Sequence, residues 1–397
     1  MERRTGTISR GIRAPIIREG DDLAKIVTDS IYDASREEHF ALRPRDIVGV
    51  TEAVVARAQG NYATVDQIAE DVRRKFGDHA HLGVLFPILS RNRFAVLLRG
   101  IARGAEKIYL QLSYPTDEVG NALISMEQLD QSGLDPWRDV LSFNAWMERF
   151  GKIKHPFTGV DYVSYYADII RGEGTEAELF FANDPCYILE KTDEVLSCDI
   201  HSRERTKIKL RQAGGRVVHG LDDILRESVD GSGWNEKYGL LGSNKATDEK
   251  VKLFPRDCAH FVYDVQARIK VAMDTDVEVL VYGDGAFRDP VGKIWELADP
   301  VVSPAYTKGL MGTPNELKLK YLADDKFADL SGSDLKFAIT EYLKTKDGGL
   351  VGQMESQGTT PRQIADLIGS LCDLTSGSGD KGTPIVLIQG YFDTYAD

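Results

Sequence analysis

Cysteine is scarce in this chain: four residues, Cys186, Cys198, Cys258 and Cys372, are spread through 397 with no C-x-x-C pair. Such scattered thiols exclude a disulfide framework, give zinc no obvious cage, and suit a reducing, cytoplasmic setting. No stretch of about 18 apolar residues occurs, so no membrane-spanning helix is expected. The opening MERRTGTISRG is basic but lacks the apolar core of a secretion signal. Basic residues are outnumbered, 49 Lys and Arg against 62 Asp and Glu, for a net charge of -13. That balance argues against nucleic acid as a partner, because a phosphate backbone calls for a basic footprint. A polyanionic ligand would therefore need local Arg, Lys or metal. Also missing are a Walker lysine loop, a G-x-G-x-x-G fingerprint leading from a strand into a helix, and Ser-His-Asp or Cys-His arrangements. A dinucleotide oxidoreductase is disfavoured by the missing fingerprint.

What the chain does have is an apolar fraction of 42%, enough for a sizeable core in roughly two or three domains. Two glycine-rich charged segments stand out, Tyr282 to Pro290 (YGDGAFRDP) and Ser376 to Pro384 (SGSGDKGTP). The first follows the apolar run VEVLVY and the second precedes PIVLIQGY, so each loop is expected on a buried strand. Glycine lets backbone N–H groups crowd around an anion, while Asp284, Asp380, Arg288 and Lys381 carry metal- or phosphate-binding chemistry. Ordinary tight turns have the same Asp-Gly chemistry, so either segment alone also reads as a turn.

Periodicity supplies the organisation. GIRAPIIREGDDLAKIVTDSIYDA reads as a loop and then a helix starting at Asp21 and Asp22, with Leu23, Ile26, Val27 and Ile31 on one face. RDIVGVTEAVVARAQG reads as a strand ending at Thr51 followed by a helix, and VDQIAEDVRRKF as another amphipathic helix. From about Gly133 to Arg256, AELFFAND and EVLSCDIHSRERTKIKLRQAGGRVVHGLDDI alternate strands and helices at a parallel-sheet cadence. The expectation is an α+β core, residues 1–132 and 257–397, interrupted by an inserted α/β subdomain at 133–256. Ser90-Arg91-Asn92-Arg93 concentrates cations and hydrogen-bonding side chains and suits a carboxylate or phosphate, making Arg91 and Arg93 substrate-binding candidates. Gly242 to Thr247 and Phe254 to Asp257 flank the return from the insertion.

Four segments together, GIRAPIIREGDDLA, DIVGVTEAVVARAQG, VLVYGDGAFRDPVGK and SGSGDKGTPIVLIQG, resemble the coenzyme F-420 gamma-glutamyl ligase family, in the same order. The resemblance implies a cytoplasmic homodimer that attaches glutamate to a deazaflavin precursor with GTP as co-substrate and divalent Mg or Mn. It implies nucleotide contacts at Arg10, Gly11, Ile12 and Arg13, at Thr51 and Glu52, at Arg57 in place of a lysine, and at Ser376, Gly377, Ser378, Gly379, Asp380 and Gly382. Asp284 and Asp380 are then the metal candidates, and Asp284, Arg288 and Lys381 the catalytic ones.

The departures are specific. IYLQLSYPTDEVG lacks a metal-ligand aspartate that the family carries in that strand, with Asp117 and Glu118 nearby, and the acidic position of the last glycine loop falls at Ser376 or Ser378. Because hard cations need several oxygen ligands, two readings of function follow. One is a GTP-using ligase forming an amide through an acyl phosphate, on the deazaflavin precursor or a folate-like acceptor. The other is a noncatalytic nucleotide- or metabolite-binding protein on the same fold.

Overall fold

The structure, a computed structural model, describes residues 5–285, 298–346, 348–350, 352–356, 362–376 and 380–396. Its strands are β1 (Ile8–Ile12), β2 (Ile47–Thr51), β3 (Tyr62–Thr64), β4 (His81–Leu85), β5 (Lys107–Leu112), β6 (Leu141–Ser142), β7 (Glu176–Phe181), β8 (Glu194–Ser197), β9 (Val217–Gly220), β10 (Asn244–Thr247), β11 (Lys250–Lys252), β12 (Glu278–Tyr282), β13 (Ala305–Tyr306) and β14 (Ile385–Gln389). Helices and mixed sheets together make an α+β fold.

The first sheet runs β1-β14-β2-β12-β13. Its three central strands, IVGVT, EVLVY and IVLIQ, are apolar at nearly every position because both faces are covered. Alternation assigns the faces. Val48, Val50, Val279, Val281, Ile385 and Leu387 pack with the helices Leu23–Glu37 and Cys258–Met273, while Ile47, Leu280, Tyr282, Val386 and Ile388 pack with Ile368 and Cys372 of the helix Ile364–Ser376. Each fully buried aliphatic side chain of this kind contributes about 1.5–3 kcal/mol. The helix Leu23–Glu37 begins where the sequence puts it, its first turn capped by the Asp22 carboxylate accepting the Lys25 N–H at 3.1 Å.

The second sheet has the order β6-β7-β5-β4-β8-β9, and β7, β5, β4, β8 and β9 are parallel. Along the chain it grows from β4 through β5 to β7 on one side, then continues with β8 and β9 on the other. The strand order therefore reverses between β4 and β8. The boundary expected at residue 133 falls inside this sheet, because β4 and β5 precede it and β7, β8 and β9 follow it. The parallel cadence of the middle region is present, but its central strands come from the segment before it. A third, small sheet has the order β10-β11-β3. Among the described residues no helix is long and apolar enough to cross a membrane.

Candidate functional site

Register brings the two glycine segments to one end of one sheet. β12 runs parallel to β2 with Tyr282 beside Thr51, and β14 runs antiparallel to β2 with Ile385 beside Val50. The chain leaving β12 and the chain entering β14 thus meet at the carboxyl end of β2, one on each side. β1 ends there too, with Ile12 paired to Ile385. Backbone bonds tie these ends: Thr51 N–H donates to the Pro384 carbonyl at 3.0 Å, and Ala14 N–H to the Gly382 carbonyl at 3.1 Å. Asp373, near the end of the helix Ile364–Ser376, accepts the Gly285 N–H at 2.9 Å, so the first segment is tied to the helix that leads into the second. Thr383 Oγ1 donates to the Ser376 carbonyl at 2.8 Å and closes the second loop.

Charge is concentrated at this end. Arg93, just before the helix Phe94–Arg103, forks between two carboxylates, donating to Asp299 Oδ1 at 2.7 Å and to Asp284 Oδ2 at 2.6 Å. Burial works against the guanidinium charge, but Asp299 and Asp284 outweigh it and raise its pKa well above the usual arginine value. Asp299 Oδ2 also accepts the Asp284 N–H at 2.8 Å. Gly283 makes this geometry possible, since a Cβ there would lie 2.3 Å from Asp299 Oδ2. Glu52, in the first turn of the helix Glu52–Ala58, is buried against Lys252, whose Nζ donates to both carboxylate oxygens at 2.6 and 2.7 Å. Burial pushes Glu52 upward against the pull of Lys252. Burial likewise raises Asp373, with the Gly285 N–H opposing it.

Not every sequence candidate stands here. Arg10 reaches the opposite end of the sheet, where it donates to Gln389 Oε1 at 2.6 Å and lies over the Phe40 ring. Ile12 points into the core rather than toward a ligand, and Gly11 abuts Thr383, with a Cβ there 3.0 Å from the threonine side chain. Arg13, Arg57, Arg91, Asp380, Lys381 and Gly382 are exposed, whereas Ser376 is buried. Arg288, Gly377, Ser378 and Gly379 lie outside the described residues. Among the described residues no group of three His, Cys, Asp or Glu side chains could hold a metal ion by itself.

Sequence reasoning missed Asp299, Asp373 and Lys252. Lys252 had a signal, a lone cation between Val251 and Leu253 in a buried run, which demands a buried acid. Asp299-Pro300 reads as an ordinary turn pair, and Asp373 as one more acid on a helix.

The two acids that IYLQLSYPTDEVG places nearby, Asp117 and Glu118, are otherwise engaged. Asp117 accepts N–H groups of Leu89, Val119 and Asn121 and the Asn121 amide, all within 3.0 Å. Its neighbour Glu118 accepts from the backbone of Ile200, His201 and Ser202 at the start of the helix Arg203–Gln212.

Compared with models of known families, residues 11–390 match F420-0:gamma-glutamyl ligase. A search of curated proteins finds no match. The match runs from the end of β1, through both sheets, to the residue after β14, and so takes in all the strand ends that meet around Thr51. The chain belongs to the F420-0:gamma-glutamyl ligase family.

Proposed function

We propose that the protein is a GTP-using gamma-glutamyl ligase that joins the amine of glutamate to a carboxylate of F420-0 or a closely similar acceptor. The carboxylate oxygen attacks the γ-phosphorus of GTP, forming the acyl phosphate as the bond to GDP breaks. The glutamate amine then attacks the acyl carbon; the C–N bond forms, phosphate leaves with the C–O electron pair, and the nitrogen loses a proton. The single observation that carries this reading is the meeting of the Asp284 and Ser376–Pro384 segments on either side of β2. Phosphoryl transfer needs positioning and charge neutralisation more than it needs a dedicated base.

Exposed Arg13, Arg57 and Lys381 supply cations for the phosphates, and Arg288 and the backbone of Ser376 to Gly382 are assigned to the same task. A divalent ion brought by a nucleotide keeps waters and phosphate oxygens and needs one or two protein carboxylates, so a full protein cage is not required. Asp284, whose carboxylate is partly exposed beside Arg93, fits that limited role, and Asp380 is the second candidate. When bound, Mg or Mn would screen the phosphate charge. The protein is proposed to act in the cytoplasm as a homodimer.

One observation favours a second reading, a noncatalytic binding protein: Arg93 is already ion-paired with both Asp284 and Asp299. Thermal unfolding with GTP, Mn and both decides. A ligase is stabilised most by the pair, and Asp284→Asn removes the metal-dependent part of the shift. Failure of Asp284→Asn to change that shift would reject the metal assignment. Absence of amide product from F420-0, glutamate, GTP and Mn, with binding retained, would favour the second reading.

A further inference from the structure

The α/β sheet has its own crevice, and it opens onto Arg93. In parallel sheets with helices on both faces, ligands bind beyond the carboxyl ends of the strands where the strand order reverses. Here that point lies between β4 and β8. A cavity of about 20 Å³ occupies it, lined by Ile88 after β4, by Cys198 and Ile200 after β8, by Leu221 after β9, and by Arg93 and Ser243. The volume admits one or two groups the size of a water molecule.

Two segments that the sequence marks separately are joined here. Ser90 to Arg93 and Gly242 to Thr247 come together through Lys245 N–H donating to the Asn92 carbonyl at 2.6 Å. Within this mainly apolar lining, Ser243 is only 2% exposed, and its hydroxyl has no hydrogen-bond partner. A buried hydroxyl without a partner is destabilising, so its retention calls for a reason. Arg93 meets Asp299 and Asp284 through one N–H of each terminal nitrogen, leaving its remaining N–H groups without a partner among the described residues.

We infer that this crevice is an acceptor subsite: it takes a small oxygen-bearing group, a hydroxyl or carbonyl, of the molecule whose carboxylate reacts beside Asp284. This inference rests on the ligase reading and adds where the acceptor is held. Ser243 donates to the oxygen, the apolar walls exclude water, and Arg93 spans the interval to the acidic pair. The nucleotide is held elsewhere, between the two glycine segments, so the two ligands are separable by mutation.

The test is calorimetric binding of F420-0 and, separately, of GTP with Mn to the full-length protein. Ser243→Ala removes only the hydroxyl and is expected to melt at or above the wild-type temperature, because an unpaired buried group is lost. It should bind F420-0 about five- to tenfold more weakly, and Ser243→Val, which also fills the space, more weakly still, with GTP affinity unchanged in both. Unchanged F420-0 affinity in both variants would reduce the crevice to an internal water site and overturn the inference. Equal loss of GTP affinity would overturn it too, by showing a general disturbance. A wild-type protein that binds F420-0 but makes no amide would reject the ligase reading and leave these variants to decide the subsite. One that does not bind F420-0 would reject both.

Discussion

Replacing Arg93 by Met tests the junction between the two sheets. Its side chain is 15% exposed, and its partners Asp299 and Asp284 are 2% and 26% exposed. The substitution keeps an unbranched apolar stem and deletes two charge-assisted bonds of 2.7 and 2.6 Å. Asp299 would then be a buried carboxylate whose remaining donor among the described residues is the Asp284 N–H. Breaking a buried pair by removing one member costs about 3–5 kcal/mol, because the other charge stays desolvated. The partial exposure of Asp284 argues for the lower part of that range.

The assay is urea unfolding of wild type, Arg93→Met, Asp299→Asn and the double variant. The double variant should be more stable than the sum of the single losses implies, by about 1–3 kcal/mol, since the stranded charge is gone. Arg93→Lys should fall between wild type and Arg93→Met, as an ammonium keeps the charge but loses the planar fork that serves two acids at once. A loss below about 1 kcal/mol for Arg93→Met would mean that water screens the cluster like a surface ion pair. In that case Arg93 would not hold Asp284 and Asp299 in a desolvated cluster.

Burial pushes Asp117 up to about 6 against its N–H donors, and a folded value above the unfolded one means stability is lost as pH rises from about 4 to about 6. The stability difference between wild type and Asp117→Asn should therefore fall by about 3 kcal/mol across that window, read by denaturation at a series of pH values. Gly49→Ala would set a Cβ 2.4 Å from Cys372 Sγ, costing about 1–3 kcal/mol in thermal unfolding, and Cys372→Ala in the same chain should recover most of it. Glu118→Ala strips the carboxylate from the N–H groups of Ile200, His201 and Ser202; the variant should lose about 1–3 kcal/mol, and inorganic phosphate should stabilise it but not the wild type.

The elements most legible in the sequence are those whose pattern is set by one environment. Strands β2, β12 and β14 are apolar because both faces are covered, and the helix Leu23–Glu37 repeats its apolar residues at helical spacing over a capped start. β1 was hidden for the opposite reason: Ile8–Ile12 holds Ser9, Arg10 and Gly11 at an edge, where packing constrains side chains least. The extent of the α/β sheet was equally hidden, because β5 pairs with β7 across the segment that contains residue 133, and no local signal reports a partner so distant. At the site, glycine segments and the Arg93 cluster were visible as local composition. The acids that Arg93 and Gly285 meet, Asp299 and Asp373, are single residues made functional candidates only by folding.

Charge accounting then narrows how a nucleotide can be held. Among the cations near or assigned to the site, Arg93 is committed to Asp284 and Asp299, Lys252 to Glu52, and Arg10 to Gln389 at the far end of the sheet. Arg13, Arg57 and Lys381 are exposed and have no ion-pair partner among the described residues. Set against those three are Asp284 and Asp373, linked through the Gly285 N–H at the strand ends, and Asp380 next to Lys381 in the chain, within a net charge of -13. A triphosphate entering between the glycine segments would therefore meet a field that its protein cations only balance, and screening by salt would weaken what attraction remains. Tight binding on this reading requires that positive charge arrive with the nucleotide. The dependence of GTP affinity on Mn should accordingly exceed its dependence on any one of the exposed cations.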